Sequence, residues 1–293
     1  MRYRTRNLAK DGDRPTRRRS RLISALFITS PILVYVLLLN IFAHEMVYQF
    51  TQAEWSDPRF DIVTFDGAEG VKLELGIHDA GPGSPTVMVF VGNVGSRAHF
   101  SALYAPLIGA GATVVAAPYR GAEGQGGAKR EALFRQDVTA ALEAVPTALG
   151  RDPGRVNAVG YSLGTGLALQ VASGHGRGAV LLLAPYARLC EVMAQRSYLP
   201  ACQIPWIDSW DSLALSDAHG GSVSILHGEQ DSLIPIEQGR ALANRLNGFG
   251  RLAEFTSLAD VSHNNILWSS ETSAAMARWV RGLPVAPENT QEP

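Results

Sequence analysis

Val156-Asn157-Ala158-Val159-Gly160-Tyr161-Ser162-Leu163-Gly164-Thr165-Gly166-Leu167-Ala168-Leu169 is the stretch on which the reading of this chain turns. Val156, Ala158 and Val159 form an apolar run of the kind that makes a strand buried on both faces. Gly164 to Leu169 are small or aliphatic and suit a closely packed helix. The join between them, Gly160-Tyr161-Ser162-Leu163-Gly164, fits the pattern G-x-S-x-G. On such a sharp strand-to-helix turn the serine backbone is strained, and small flanking residues let strand and helix approach each other. The serine oxygen then stands at the positive end of the following helix. A five-residue pattern alone could be a glycine-rich turn carrying an idle serine. The strand before it and the helix after it favour Ser162 as a nucleophile.

A serine hydroxyl needs a base to take its proton. Sites of this strand–turn–helix kind draw an acid and then a histidine from further along the chain, in that order. After Ser162 the histidines at useful distances are His219, His227 and His263. His227 ends an apolar strand and reads as structural or as a support behind the catalytic groups. His263 lies in the polar loop Asp260-Val261-Ser262-His263-Asn264-Asn265, between the last strand and the last helix, and is the expected base. Asp231, in a turn after the strand at 223–226, is the expected acid, which would fix the imidazole tautomer. Asp260 is its rival by proximity in sequence; Asp208, Asp211 and Asp217 read as caps or surface charges. A developing oxyanion needs preorganised N–H donors. The expected ones are the backbone N–H of Leu163 and that of Asn93, in the loop Gly92-Asn93-Val94-Gly95 after the apolar run at 87–91.

Around these residues the chain alternates. Strands are expected at 60–65 and 71–78 as an antiparallel pair, then at 87–91, 113–117, 155–159, 179–183, 223–226 and 252–256. Helices are expected at 101–108, 129–149, 163–172, 236–246 and 270–281. Alternation of this kind implies a mostly parallel sheet flanked by helices on both faces. Residues 186–221 break the rhythm and read as a cap insertion, with Tyr186, Tyr198, Leu199, Pro200, Trp206 and Trp210 as its apolar content. The polar tail at 284–293 reads as disordered.

The 293 residues carry a net charge of −1 that hides an asymmetry. Residues 1–21 hold nine Lys or Arg against two Asp, which leaves 17 basic and 25 acidic residues for the rest. The basic tail immediately precedes 22 uncharged, apolar residues, 22–43, so a topological role is preferred to nucleic-acid binding. A helix of that length spans a bilayer, and its basic flank favours a cytoplasmic N-terminus with the main domain, residues 60–283, outside the cytoplasm. Residues 44–59 read as a connector. A cleaved signal peptide and a twin-arginine signal are competing readings. In a compartment that permits disulfides, Cys190 and Cys202 could pair; their spacing fits no zinc motif.

Taken together, Val91-Gly92-Asn93-Val94-Gly95, Pro118-Tyr119-Arg120-Gly121, the Ser162 turn, and Gly228-Glu229-Gln230-Asp231 with Ser262-His263-Asn264 resemble the α/β-hydrolase family, in particular its small membrane-anchored branch. The likeness covers roughly residues 60–282. Val91 and Pro118 depart from the His and Asp usual in those motifs, and neither is a triad position. The resemblance implies cleavage of an ester, thioester or amide through an acyl-enzyme, without a cofactor or metal. Membrane tether and apolar insertion suggest an acyl or lipid-like substrate. A serine peptidase or amidase of the same fold, or a non-catalytic membrane-tethered scaffold, are the alternatives. Oligomeric state leaves no signature in the sequence.

Overall fold

The computed structural model describes residues 29–31, 33–38, 44–174, 178–198, 200–218 and 220–284. Eight strands form one sheet: β1 (Asp61–Asp66), β2 (Lys72–His78), β3 (Thr86–Phe90), β4 (Thr113–Ala116), β5 (Val156–Tyr161), β6 (Val180–Leu183), β7 (Val223–Gly228) and β8 (Leu252–Leu258). Their spatial order is β1-β2-β4-β3-β5-β6-β7-β8. β2 pairs antiparallel with β1 and β4, and every later pairing is parallel. Every residue of β3, β4, β5, β6 and β7 is buried, as suits their mainly apolar sequences; Thr86, Thr113, Asn157, Ser224 and His227 are the buried polar exceptions. The outer strands β1 and β8 are only partly buried, and their sequences mix polar with apolar residues accordingly.

Helices fill the connections: α1 (Tyr104–Gly109), α2 (Glu131–Leu149), α3 (Thr165–Gly174), α4 (Leu189–Ser197), α5 (Ser212–Ala218), α6 (Ile236–Gly248) and α7 (Ser270–Arg281). α2 packs on α3, α3 on α5, and α5 on α6, while α1 packs on α7. These two sets cover the two faces of the sheet. α7 starts on a side-chain cap, with Ser269 Oγ accepting from the N–H groups of Glu271 and Thr272.

Two expectations need adjustment. Of the expected connector 44–59, residues 45–59 are more than a connection. Tyr48 and Trp55 are buried, and the segment belongs to the same compact unit as the sheet, which begins at Glu45. Apolar side chains too large to leave in water carry it into the core. The insertion at 186–221 divides in two. α5 packs against α3 and α6 as an ordinary crossover helix, whereas α4 packs chiefly on the 3-10 turn Ala201–Gln203 and reaches the core through Val192. Of the aromatics assigned to the insertion, Tyr186 and Trp210 are core, and Tyr198 and Trp206 are exposed. The expected span 22–43 falls largely outside the described residues, although 29–31 and 33–38 are helical. Among the described residues no helix is long and apolar enough to cross a membrane. Residues 285–293 of the tail, Leu199 and His219 also lie outside the described residues.

Candidate active site

Ser162 follows directly on β5 and opens a single 3-10 turn, Ser162–Gly164, that leads into α3. Its φ is 52°, in the left-handed region that costs a side-chain-bearing residue about 1–3 kcal/mol. The turn can hold that strain because its neighbours are glycines at points of close approach. A Cβ on Gly160 would stand 2.6 Å from the Gly164 carbonyl oxygen, and one on Gly164 would collide with the backbone of Phe90. Thr165 Oγ1 donates to the Ser162 carbonyl at 2.6 Å and fixes the first turn.

The loops after β7 and β8 bring the other two residues to the same edge. His263 Nδ1 lies 2.7 Å from Asp231 Oδ2, and His263 Nε2 lies 2.9 Å from Ser162 Oγ. Because an ionised carboxylate can only accept, Nδ1 carries the proton and Nε2 is left as the acceptor for the serine hydroxyl. Asp231 Oδ1 accepts from the N–H groups of Leu233 and Ile234 at 2.9 and 2.8 Å. Burial opposes the charge on Asp231, but the imidazoles of His227 and His263 and the Ile234 N–H outweigh it. They hold the carboxyl well below the usual carboxylate range. Asp260 does not share this site; it is exposed and accepts from Gln230 at 3.3 Å. Asp208 accepts from Tyr48 and the Glu131 N–H, and Asp211 and Asp217 pair with Arg188 and Arg245.

Three further side chains complete the site, and of these His227 was expected as a structural or supporting residue while Tyr161 and Tyr186 were not. His227 is fully buried, with Nε2 2.9 Å from the Ile234 carbonyl oxygen, to which it donates, and 3.5 Å from Asp231 Oδ2. Tyr161, in the variable position before the serine, donates from its hydroxyl to the His263 carbonyl at 3.0 Å, and its ring lies 5.3 Å from the imidazole. Burial raises the Tyr161 phenol, so it stays a donor. Tyr186 donates to the Leu163 carbonyl at 3.2 Å. For Tyr161 the available signal was an aromatic in the motif, and for His227 its place next to the last residue of a strand.

Asn93 and Leu163 line the cleft that holds Ser162. Asn93's loop is set by Arg97, which is buried among three partners. Its N–H and Nε donate to Glu123 at 2.7 Å, Nη1 donates to the Glu74 carbonyl at 2.6 Å, and the guanidinium lies 4.2 Å from the Trp55 ring. Val91, where the resemblance leads one to expect His, receives the Tyr119 hydroxyl on its carbonyl at 2.8 Å. Arg120 is fully buried against Asp137 at 2.6 Å. The cleft walls are apolar: Met46 and Val47 from the N-terminal segment, Leu189 and Val192 from α4, and Leu233 and Ile234 after Asp231. Cys190 and Cys202 are joined by a disulfide that ties α4 to the Ala201–Gln203 turn. Among the described residues no cluster of His, Cys, Asp and Glu could hold a metal.

No family model matches the chain. An uncharacterized protein of Mycobacterium tuberculosis, Rv2307c, is 30% identical over 159 residues, 54% of this chain and 56% of the relative. The chain thus spans little more than half the length of that relative. A protein of Acanthamoeba polyphaga mimivirus named as an alpha/beta hydrolase is 29% identical over 40% of this chain and 43% of its own. Among solved structures, the Pyrococcus furiosus esterase Pf2001 superposes with a TM-score of 0.68 at 17% identity, over 81% of this chain and 99% of that one. An esterase of Thermogutta terrifontis gives 0.58 at 17% identity, over 77% and 100%. The acylaminoacyl peptidase of Pyrococcus horikoshii gives 0.59 at 12% identity, over 78% and 42%. With its sheet order, its strand–serine–helix turn and these likenesses, the chain has the α/β-hydrolase fold.

Proposed function

We propose that this protein is a serine hydrolase that cleaves an ester or thioester of an acyl, lipid-like acid through Ser162, His263 and Asp231. The observation that carries the reading is the unbroken relay from Ser162 Oγ through His263 to Asp231, at the base of an apolar cleft. Ser162 Oγ attacks the acyl carbon as its proton passes to His263 Nε2, and Asp231 stabilises the imidazolium. The N–H groups of Leu163 and Asn93 receive the oxyanion. Collapse of the tetrahedral adduct expels the alcohol or thiol, which takes the proton from Nε2. A water activated by the same imidazole then releases the acid and restores the serine. Esterase neighbours matched over nearly their whole length favour an ester over a peptide bond.

A fluorophosphonate probe tests this directly. The wild-type chain becomes labelled and Ser162→Ala does not; 4-nitrophenyl esters of increasing acyl length are hydrolysed with a preference for apolar chains. Absence of Ser162-dependent labelling would instead favour a non-catalytic scaffold. Preference for aminoacyl amides would move the substrate to the peptidase class.

The basic residues 1–21 and apolar residues 22–43 further support a single-pass anchor that leaves the hydrolase domain outside the cytoplasm. A disulfide between Cys190 and Cys202 suits such a compartment. Retention in the membrane fraction after alkaline carbonate, with the domain open to protease in intact spheroplasts, is expected. A soluble domain would remove the anchor from the proposal.

A further inference from the structure

We infer that Arg196 makes this cleft selective for acyl esters that carry an anionic group, a carboxylate or phosphate, away from the scissile bond. The inference rests on the hydrolase reading above and names its substrate class. Among the described residues that line the cleft, Arg196 is the one ionisable side chain; the walls are otherwise Met, Val, Leu and Ile, with Ser162 and Asn93 supplying polar groups. It sits in the last turn of α4, exposed to solvent.

The guanidinium is anchored but not neutralised. Nη2 donates to the Ser232 carbonyl at 2.6 Å, next to Asp231 in the chain, and no carboxylate pairs with Arg196 among the described residues. Arg188, on the flank of the same helix, shows the contrast: it is bound to both Glu191 and Asp211. An arginine fork has five N–H donors, so most of this one's capacity is left for a ligand. Because one edge is already fixed to the backbone, less side-chain freedom is lost when an anion binds. General basicity is not the source. Outside residues 1–21 the chain has 17 basic and 25 acidic residues, so its overall field repels anions and the attraction at the cleft is local. An apolar trough with a nucleophile at its base and a cation at its mouth fits a molecule with an aliphatic body and an anionic end.

The full-length protein can be assayed on two six-carbon substrates, 4-nitrophenyl hexanoate and the mono-4-nitrophenyl ester of adipic acid, which adds a terminal carboxylate. The wild type is expected to have the higher kcat/KM on the adipate ester. In Arg196→Gln the adipate-to-hexanoate ratio should fall about tenfold, the scale of one charge-assisted hydrogen bond at a partly exposed site, and the loss should lie in KM. Arg196→Lys should recover part of the ratio. Inhibition by hexanoate or by hexyl phosphate, lost in Arg196→Gln, supports the inference and identifies which anion is preferred. Equal loss on both esters would make Arg196 a latch between α4 and the Ser232 loop and overturn the inference, as would an unchanged ratio. Those outcomes leave the hydrolase reading intact. Absence of Ser162-dependent hydrolysis of both esters overturns the hydrolase reading and this one with it.

Discussion

Asp231 concentrates more of the site's electrostatics than any other side chain. One carboxylate oxygen takes two backbone N–H groups and the other faces two imidazoles. Asp231→Asn keeps the shape but presents an amide where His263 Nδ1–H needs an acceptor, so the imidazole is free to take the wrong tautomer. A loss in kcat on the order of 10⁴-fold is expected on any ester the wild type cleaves; a loss under tenfold would mean another group orients His263. The same carboxylate makes a prediction in pH. Its pKa is depressed in the folded protein, against about 3.9 in an unfolded chain. It therefore stabilises the fold fully above pH about 4 and loses that contribution as pH falls towards the folded value. Urea unfolding between about pH 5 and 3 should be less steeply pH-dependent in Asp231→Asn than in the wild type; identical slopes would show that the carboxylate is not held in this way. Asp231 and His263 could be found from order and loop context. Tyr161 could not be assigned a role, and His227 no more than a supporting one, because what matters in them is a contact across 102 residues and one with a backbone carbonyl.

The strands were the most legible elements, because a parallel strand buried on both faces must be largely apolar; 87–91 and 179–183 are continuously so, and Asn157 alone interrupts Val156 to Val159. The cap was less so. Periodicity marked 186–221 as irregular but could not separate α5, which packs in the helical layer, from α4, which forms a cleft wall. Their difference lies in what each packs against, not in local composition. α4 is short and carries little buried apolar surface beyond Cys190 and Val192, so its position depends on the bond from Cys190 to Cys202, 12 residues on. Closing a loop of that size contributes on the order of 3 kcal/mol in the chain-entropy model. The double substitution Cys190→Ser with Cys202→Ser, or reduction of the wild type, should lower stability by about that much. It should also raise KM for apolar esters, since Leu189 and Val192 then lose their fixed place in the wall. Loss of stability with unchanged KM would separate the disulfide from the cleft.

At the scale of the whole molecule, the least legible feature was where the domain begins. Residues 44–59 have neither the alternation of a strand nor the period of a long helix, so the sequence reads as a tether. Their burial is decided by distant partners. Trp210 Nε1 donates to the Tyr48 hydroxyl, which in turn donates to Asp208; the Thr51 N–H donates to the Val94 carbonyl, and the Glu123 N–H to Thr51. Trp55 lies under the Arg97 guanidinium that sets the Asn93 loop, and Met46 and Val47 reach the cleft. This segment thus belts the core to the loop that is to hold the oxyanion. Burying Tyr48 and Trp55 contributes roughly 1.5–3 kcal/mol each, a large share of the about 5–15 kcal/mol that keeps a domain folded. A chain of residues 45–293 should unfold in one cooperative transition and label with the fluorophosphonate probe. A chain of residues 60–293 should show a melting temperature lower by ten degrees or more, on the order of 2–4 °C per kcal/mol for a domain of this size, and little labelling. Equal stability and labelling of the two chains would return 44–59 to the role of a tether.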